Sequence, residues 1–470
     1  MVDQPSTSDS SNNTFFGNTA LDSLTNGGAN TAVGTNAATA LTTGSQNTAI
    51  GKSALETMVA GDNNTAVGFN ALKLANDAGA IQNTCVGSLA GTAVTTGNNN
   101  TAVGHNALFT LQTGTFNSAF GQGALAYNVS GSYNTASGYH SLLNYTGSNG
   151  VAFGVEALTA LTSGTNNTAV GYGALKSVVT SASNTAVGYL AGQVITGAQN
   201  TCVGDSALTA TTSGAANTAY GYNALVANQT GANNTAIGAQ TLISNISGSR
   251  NVSLGRVTLI SATGDDNTAI GTTALNACTT GTVNTALGGQ ALSNLSTYVN
   301  CTGLGYNAQV TGSNQVQLGD SSTTTYAYGA VQNRSDLRDK ADVRDTVLGL
   351  DFINSLRPVD FKWDLREDYF VEEEVDSGIV DEQGAPIMVT RRNRVEKDGS
   401  KKRSRFHHGL IAQEVKAACD AAGIDFGGYQ DHALKGGEDV MSIGYEELIA
   451  PLTKAVQQLS AEIALLKTST

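Results

Sequence analysis

The chain has 470 residues, length enough for two or more domains, but only 13% are charged and the net charge is −13. That balance excludes a phosphate-coating nucleic-acid binder, which needs a basic surface. No apolar run approaches the length of a membrane span, and the opening MVDQPSTSDSSNNTFFG lacks the basic and apolar regions of a secretory signal. Five cysteines (Cys85, Cys202, Cys278, Cys301 and Cys419) are scattered, odd in number and without zinc-binding spacing, as expected of buried thiols made in a reducing cytoplasm. No cofactor and no metal site is expected.

The charge is unevenly spread. Residues 1–330 hold 11 acidic and 5 basic side chains; the last 140 residues hold 26 and 19. Of the four prolines, Pro5 precedes the long first region and Pro358, Pro386 and Pro451 follow it, as does the only tryptophan, Trp363. Two regions built on different principles therefore meet near residue 330.

After an N-terminal tail (1–12), one unit recurs over residues 13–320: NTAVGTNAATALTTGSQ, NTAIGKSALETMVAGDN and NTAVGFNALKLANDAGAIQ are successive copies. Anchored on the glycine that closes each NTAVG, nineteen copies run from Gly17 and Gly34 to Gly305 and Gly319, mostly 16 or 17 residues apart. Three residues before the glycine stands Thr in most copies, but valine at Val151, Val252 and Val316; directly before it stands Val, Ile, Phe or Leu in nearly every copy. A position that accepts Thr or Val keeps the β-branch favoured in strands. The alternation predicts a short strand with positions −3 and −1 facing inward. An Ala-Leu pair after the glycine predicts a second buried patch, and a Thr/Ser-Gly turn closes most units.

So short a strand cannot bury its own face, so the units must stack. Nineteen turns at about 4.8 Å give a solenoid on the order of 90 Å long. The Asn heading most units then forms a column in which each side chain bonds the next copy. One outer register is rich in rings: Phe69, His105, Tyr139, Tyr172, Tyr189, Tyr222 and Tyr306 each follow an anchor glycine. Two readings stand. Tyr139, Tyr172, Tyr189 and Tyr222 stack on sugar rings of a glycan, or the rings pack between chains of an oligomer. Lys52, Asp205 and Arg256 interrupt the stripe.

The NTAVGxxAL unit resembles the head repeats of trimeric autotransporter adhesins of the YadA type, and repeats in tail-fibre-like proteins. The resemblance covers roughly residues 13–320 and implies a mainly β fold, a trimeric β-solenoid (β-roll). This unit is a residue shorter before the glycine and longer in its second half than the adhesin pattern.

A linker (321–334) leads to the charged region, 335–470. Within it, FHHGLIAQEVKAACDAAG predicts a strand running into a helix. Ile449, Leu452, Val456, Leu459, Ile463 and Leu466 are spaced 3, 4, 3, 4, 3, the seam of a coiled coil over 446–467, or else the inner face of a helix packed on its own domain. Between Glu367 and Arg405 an acidic half (EDYFVEEEVD) precedes a basic half (RRNRVEKDGSKKRSR). This pattern suits a long hairpin with cross-strand pairing, or a solvated insertion.

Four blocks in order, SDLRDK, LRPVDFKW, HHGLIAQEV and YEELIAPL, closely resemble the endosialidase-type intramolecular chaperone domain found at the end of many phage tail spikes and fibres and in some membrane-anchored transcription factors. The resemblance spans residues 335–470. It implies an α+β module that trimerises, guides folding of the β-rich region before it and then cuts itself off. By position it implies Ser335 as nucleophile, Lys340 as base and Arg334–Ser335 as the scissile bond. A serine hydroxyl attacks only when a base takes its proton, and a lysine serves as base only when burial lowers its pKa, which trimer assembly would supply. Asp339 departs from the family, which usually has an apolar residue there, and a carboxylate at that place would keep Lys340 charged.

These features lead to the expectation of a virion tail fibre or spike, assembled in the host cytoplasm as a homotrimer. Its partners would be a host surface glycan or protein receptor and other tail or baseplate proteins, with no nucleic acid and no membrane insertion. The alternative is a bacterial surface adhesin built from the same two modules. A surface- or ice-binding solenoid using its threonine rows is set aside because those threonines are expected inside. Glycan hydrolysis is set aside because the repeats lack a paired set of carboxylates.

Overall fold

The computed structural model describes residues 7–8, 11–75, 79–326, 335–380, 386–433 and 440–468. They belong to two compact units, Met1–Thr297 and Tyr298–Thr470. The chain is mainly β, a parallel β-solenoid of repeats of about 17 residues, and its last helix lies at the C-terminal end.

In the first unit each repeat contributes a strand of three residues, from Thr14–Phe16 to Thr285–Leu287. Successive strands pair parallel and in strict register: Thr31 faces Thr48, Ala32 faces Ala49 and Val33 faces Ile50. The strand Thr7–Ser8 pairs antiparallel with Thr14–Phe16, covering an edge that would otherwise offer its backbone to other chains.

The strands face the opposite way from the expectation. The middle residue, position −2, has no exposed surface at Ala32, Ala66, Cys85, Ala169 or Ala236. The flanking Thr and aliphatic residues are partly or fully exposed, as in Thr168–Val170 and Thr285–Leu287. Space decides this. The Ala-Leu pair is buried as well (Ala107 and Leu108, Ala174 and Leu175), and the room left is small: the thiols of Cys85 and Cys202 lie 2.5 and 2.9 Å from where a Cβ would stand on Gly91 and Gly192, which hold the leucine's place in their turns. The β-branched positions therefore form an outer face of threonine beside aliphatic residues, and the ground for setting aside the threonine rows as a binding face falls. Burial pushes the Cys85 and Cys202 thiols up to about 12, which leaves them chemically inert.

The turn after the strand is compact because its backbone alternates into the left-handed region. Gly51 has φ +134°, Ser53 φ +58° and Leu55 φ +54°. A leucine there costs about 1–2 kcal/mol. Hydrogen bonds between turns offset that cost: Ser53 N–H donates to Thr35 O at 2.9 Å, and Leu55 N–H to Ala71 O at 3.1 Å. The anchor glycine has no alternative. At Gly34 a Cβ would lie 2.6 Å from the Gly51 carbonyl oxygen of the next turn.

The asparagine column is present inside the solenoid. Asn217 donates from its backbone N and its Nδ2 to Asn200 Oδ1, at 3.0 and 3.2 Å, and from Nδ2 to Gly231 O at 2.9 Å. Equivalent bonds link Asn13 to Asn134 in one run and Asn167 to Asn284 in another. Between the runs stands Gly150, whose N–H donates to Asn134 Oδ1 at 2.8 Å with no side chain to pass the ladder on. The fully buried Tyr145 fills that place; a Cβ on Gly150 would lie 2.8 Å from its ring, and its hydroxyl donates to Ser148 O at 2.7 Å.

The second unit opens with two more parallel strands of the same kind, Thr302–Leu304 and Val316–Leu318. Among the described residues three α-helices follow: α1 (Leu350–Ser355), α2 (Ala412–Ala422) and α3 (Ile449–Thr468). As the sequence predicts, a strand (His407–Gly409) runs into α2, and it pairs antiparallel with Val359–Phe361. Gly423 in the left-handed region ends α2, its N–H donating to Asp420 O. Phe352 of α1, Val415 and Cys419 of α2, Phe426 and Leu448 form the core. The charged segment is a hairpin, Phe370–Val380 on Pro386–Arg394, with Glu372 opposite Arg392 and Glu373 opposite Arg391 in register. Its connection, residues 381–385, lies outside the described residues.

Candidate functional site

The segment after residue 334 closes into a small loop. Asp336 precedes a single 3-10 turn, Leu337–Asp339, and its Oδ1 accepts from Arg338 N–H at 2.9 Å. The Arg338 guanidinium folds back on the same carboxylate, Nη2 to Oδ2 at 2.5 Å, and holds Asp336 below the usual carboxylate range. Lys340 N–H closes the turn on Leu337 O at 3.1 Å.

This reversal brings together the two residues implicated by the sequence. Lys340 Nζ donates to Ser335 Oγ at 2.7 Å. Both residues are exposed in the single chain. As an ammonium the lysine donates to the hydroxyl; as a neutral amine in the same place it would accept the hydroxyl proton, the geometry a general base requires. Arg334 lies outside the described residues, as does the Asp339 side chain. A Ser-Asp pair such as Ser335–Asp336 is itself a cap pattern in sequence, and Asp336 does cap the turn; the part played by Arg338, two residues on, was not singled out from the sequence.

The glycan-stripe candidates divide. Tyr172 and Tyr189, on successive turns, stack with centroids 5.3 Å apart and planes 13° from parallel. Tyr139 instead stacks on its chain neighbour His140 at 3.8 Å. Tyr222 is exposed, two turns beyond Tyr189, with Asp205 holding the register between them. Another stack, Phe116 on Tyr133 at 5.3 Å and 6°, lies in a register five residues before the anchor glycine, which the sequence reading passed over.

Two apolar surfaces stand open in the single chain. One is the outer strand face, where Phe120, Phe153, Tyr220, Ile237 and Leu287 are exposed in one column. The other is on α3. Its Pro451 and Ala455 are buried, and Gln458 Oε1 accepts from Leu350 N–H of α1 at 2.7 Å. Ile449, Leu452, Val456, Leu459 and Ile463 are exposed on the rest of the helix. Packing within the domain and an outward seam thus coexist on one helix.

Among the described residues no cluster of His, Cys, Asp or Glu is placed to hold a metal ion, and no helix is long and apolar enough to cross a membrane. Comparison with protein-family models, with curated proteins and with solved structures gives no match for this chain.

Proposed function

We propose that this chain is a homotrimeric virion tail fibre or spike that contacts a host surface, folded by a C-terminal intramolecular chaperone that cuts itself off before Ser335. The observation that carries the reading is the Lys340–Ser335 hydrogen bond of 2.7 Å, held by a capped turn inside a segment with the chaperone family's four blocks. Trimerisation is supported by the open strand face and the open α3 seam, since soluble monomers rarely leave such continuous apolar surface in water.

In the reaction, Lys340 as a neutral amine takes the Ser335 hydroxyl proton. Oγ bonds to the carbonyl carbon of residue 334 and the C–N bond to Ser335 breaks. The departing nitrogen gains a proton and becomes a free α-amino group. Water then hydrolyses the ester, leaving a carboxylate on Arg334 and the hydroxyl on Ser335. Both groups are exposed in the single chain, so burial of Lys340 on trimer assembly would be the event that favours its neutral amine and starts the cut.

Freshly expressed protein should therefore yield two pieces, 1–334 and 335–470. Ser335→Ala and Lys340→Ala should each leave a whole chain that still forms trimers. Mass spectrometry with light scattering decides: a wild-type trimer that stays whole removes the dyad from the account, and cleavage surviving Ser335→Ala places the nucleophile elsewhere. A second reading rests on the outward threonines. A regular outer face of threonine beside aliphatic residues suits direct adhesion to an ordered surface, and a monomer mass in native solution would favour it over the trimer.

A further inference from the structure

The proposed cut falls inside a compact unit. The unit Tyr298–Thr470 contains the strands Thr302–Leu304 and Val316–Leu318 together with α1, α2 and α3, so residues on both sides of Arg334–Ser335 belong to one body.

Named contacts join the two sides. His432 meets the turn between those strands: its Nδ1 lies 2.5 Å from Thr311 Oγ1 and 3.1 Å from Gln315 Nε2, and its Nε2 lies 3.2 Å from Ser442 Oγ. Gln315 Oε1 in turn accepts from Thr311 N–H at 2.9 Å, fixing the turn that His432 touches. Further along, Arg403 donates from Nη1 to Ser321 O and from Nη2 to Ser321 Oγ. Ser321 Oγ also donates to Asp368 Oδ1 at 3.3 Å, and Asp368 pairs with Arg403 at 3.5 Å. Arg403 is itself anchored, its N–H donating to Trp363 O at 2.9 Å. A planar guanidinium engaging a backbone carbonyl and a hydroxyl, beside a carboxylate and partly shielded from water, makes a directional contact.

From this geometry we infer that cleavage does not release the C-terminal module: residues 335–470 stay clamped on the stub 298–334 through Arg403 on Ser321 and His432 on Thr311 and Gln315. The inference rests on the self-cleavage reading for its biological setting, but the clamp is a property of the folded unit and is tested apart from it. A cut there removes one covalent link and none of these contacts. Release would then require a separate event that breaks them, so the cut primes departure without causing it.

The test uses the full-length chain. Denaturing gels report whether the chain is cut, and size-exclusion chromatography with light scattering reports whether the pieces travel together. Cut protein whose pieces co-elute at physiological salt supports the clamp; cut protein that separates into two peaks overturns it. Should the chain remain whole, the self-cleavage reading fails. The clamp is then decided by a full-length variant with a glycine-flanked protease site inserted after Asn333, cut by the added protease and scored in the same way. The double variant Arg403→Ala/His432→Ala, cut by either route, should raise the separately eluting fraction at least tenfold, with Arg403→Lys intermediate. An unchanged fraction in the double variant overturns the assignment of these residues.

Discussion

At Gly204 the backbone lies at φ +131°, and an added Cβ would meet the carbonyl oxygen of Gly221 at 2.5 Å and its carbon at 2.7 Å. Neither can move aside, because both belong to the next turn's backbone. Gly204→Ala should cost roughly 3 kcal/mol or more, combining a forbidden dihedral with a backbone clash. Val203→Ala beside it, on the outer strand face, should cost far less in an isolated chain. Thermal denaturation of the two variants checks this, and equal shifts would refute it. The glycine's regularity was visible in the sequence and its cause was not: periodicity marks a position, while the clash depends on a turn 17 residues away. The strand was misread for a related reason. Thr and Val invite an inward reading by their β-branch, whereas the telling position was −2, held to Ala, Cys, Ser or Gly in nearly every copy. In a narrow interior, restriction of size marks the buried residue better than apolarity.

Among the elements, the Asn column, the Ala-Leu patch, the strand into α2 and the charged hairpin were all legible, because each rests on local pattern. The α3 helix shows the limit. Its 3-4 spacing was plain, but whether that face meets its own domain or another chain is a matter of tertiary packing. The structure buries Pro451 and Ala455 and leaves Val456, Leu459 and Ile463 exposed. If the exposed seam joins three chains, Leu459→Glu with Ile463→Glu should abolish trimers while the far-ultraviolet circular dichroism of the solenoid persists. Three carboxylates at each layer cannot be desolvated together. Trimers of unchanged mass in that variant would move the contact elsewhere. The Ser335–Lys340 proximity was legible only through the family's motif; five residues of spacing alone do not say that a capped turn reverses the chain.

For the whole molecule, near-identical turns pose an assembly problem. If three chains meet along their strand faces, sliding one chain by a turn exchanges Thr for Thr and Val for Val at little cost. A clamp at one end fixes which turns meet. Deleting residues 335–470 from the gene should therefore give aggregated or mis-registered rods. Soluble truncated trimers of uniform length in electron micrographs would show the end module to be dispensable. Nonlocal contacts of this kind also form slowly, which lengthens the time such a module must act.

The one interruption in the asparagine ladder bears on that same degeneracy. A perfectly repeating ruler has no zero mark. Tyr145 standing where the ladder would run, with Gly150 beside it, gives each chain one turn unlike its neighbours, flanked by a run of eight asparagines on either side. Between Asn13 and Asn284 the buried ladder breaks its translational symmetry at this turn, and that break makes turns at different distances from it distinguishable.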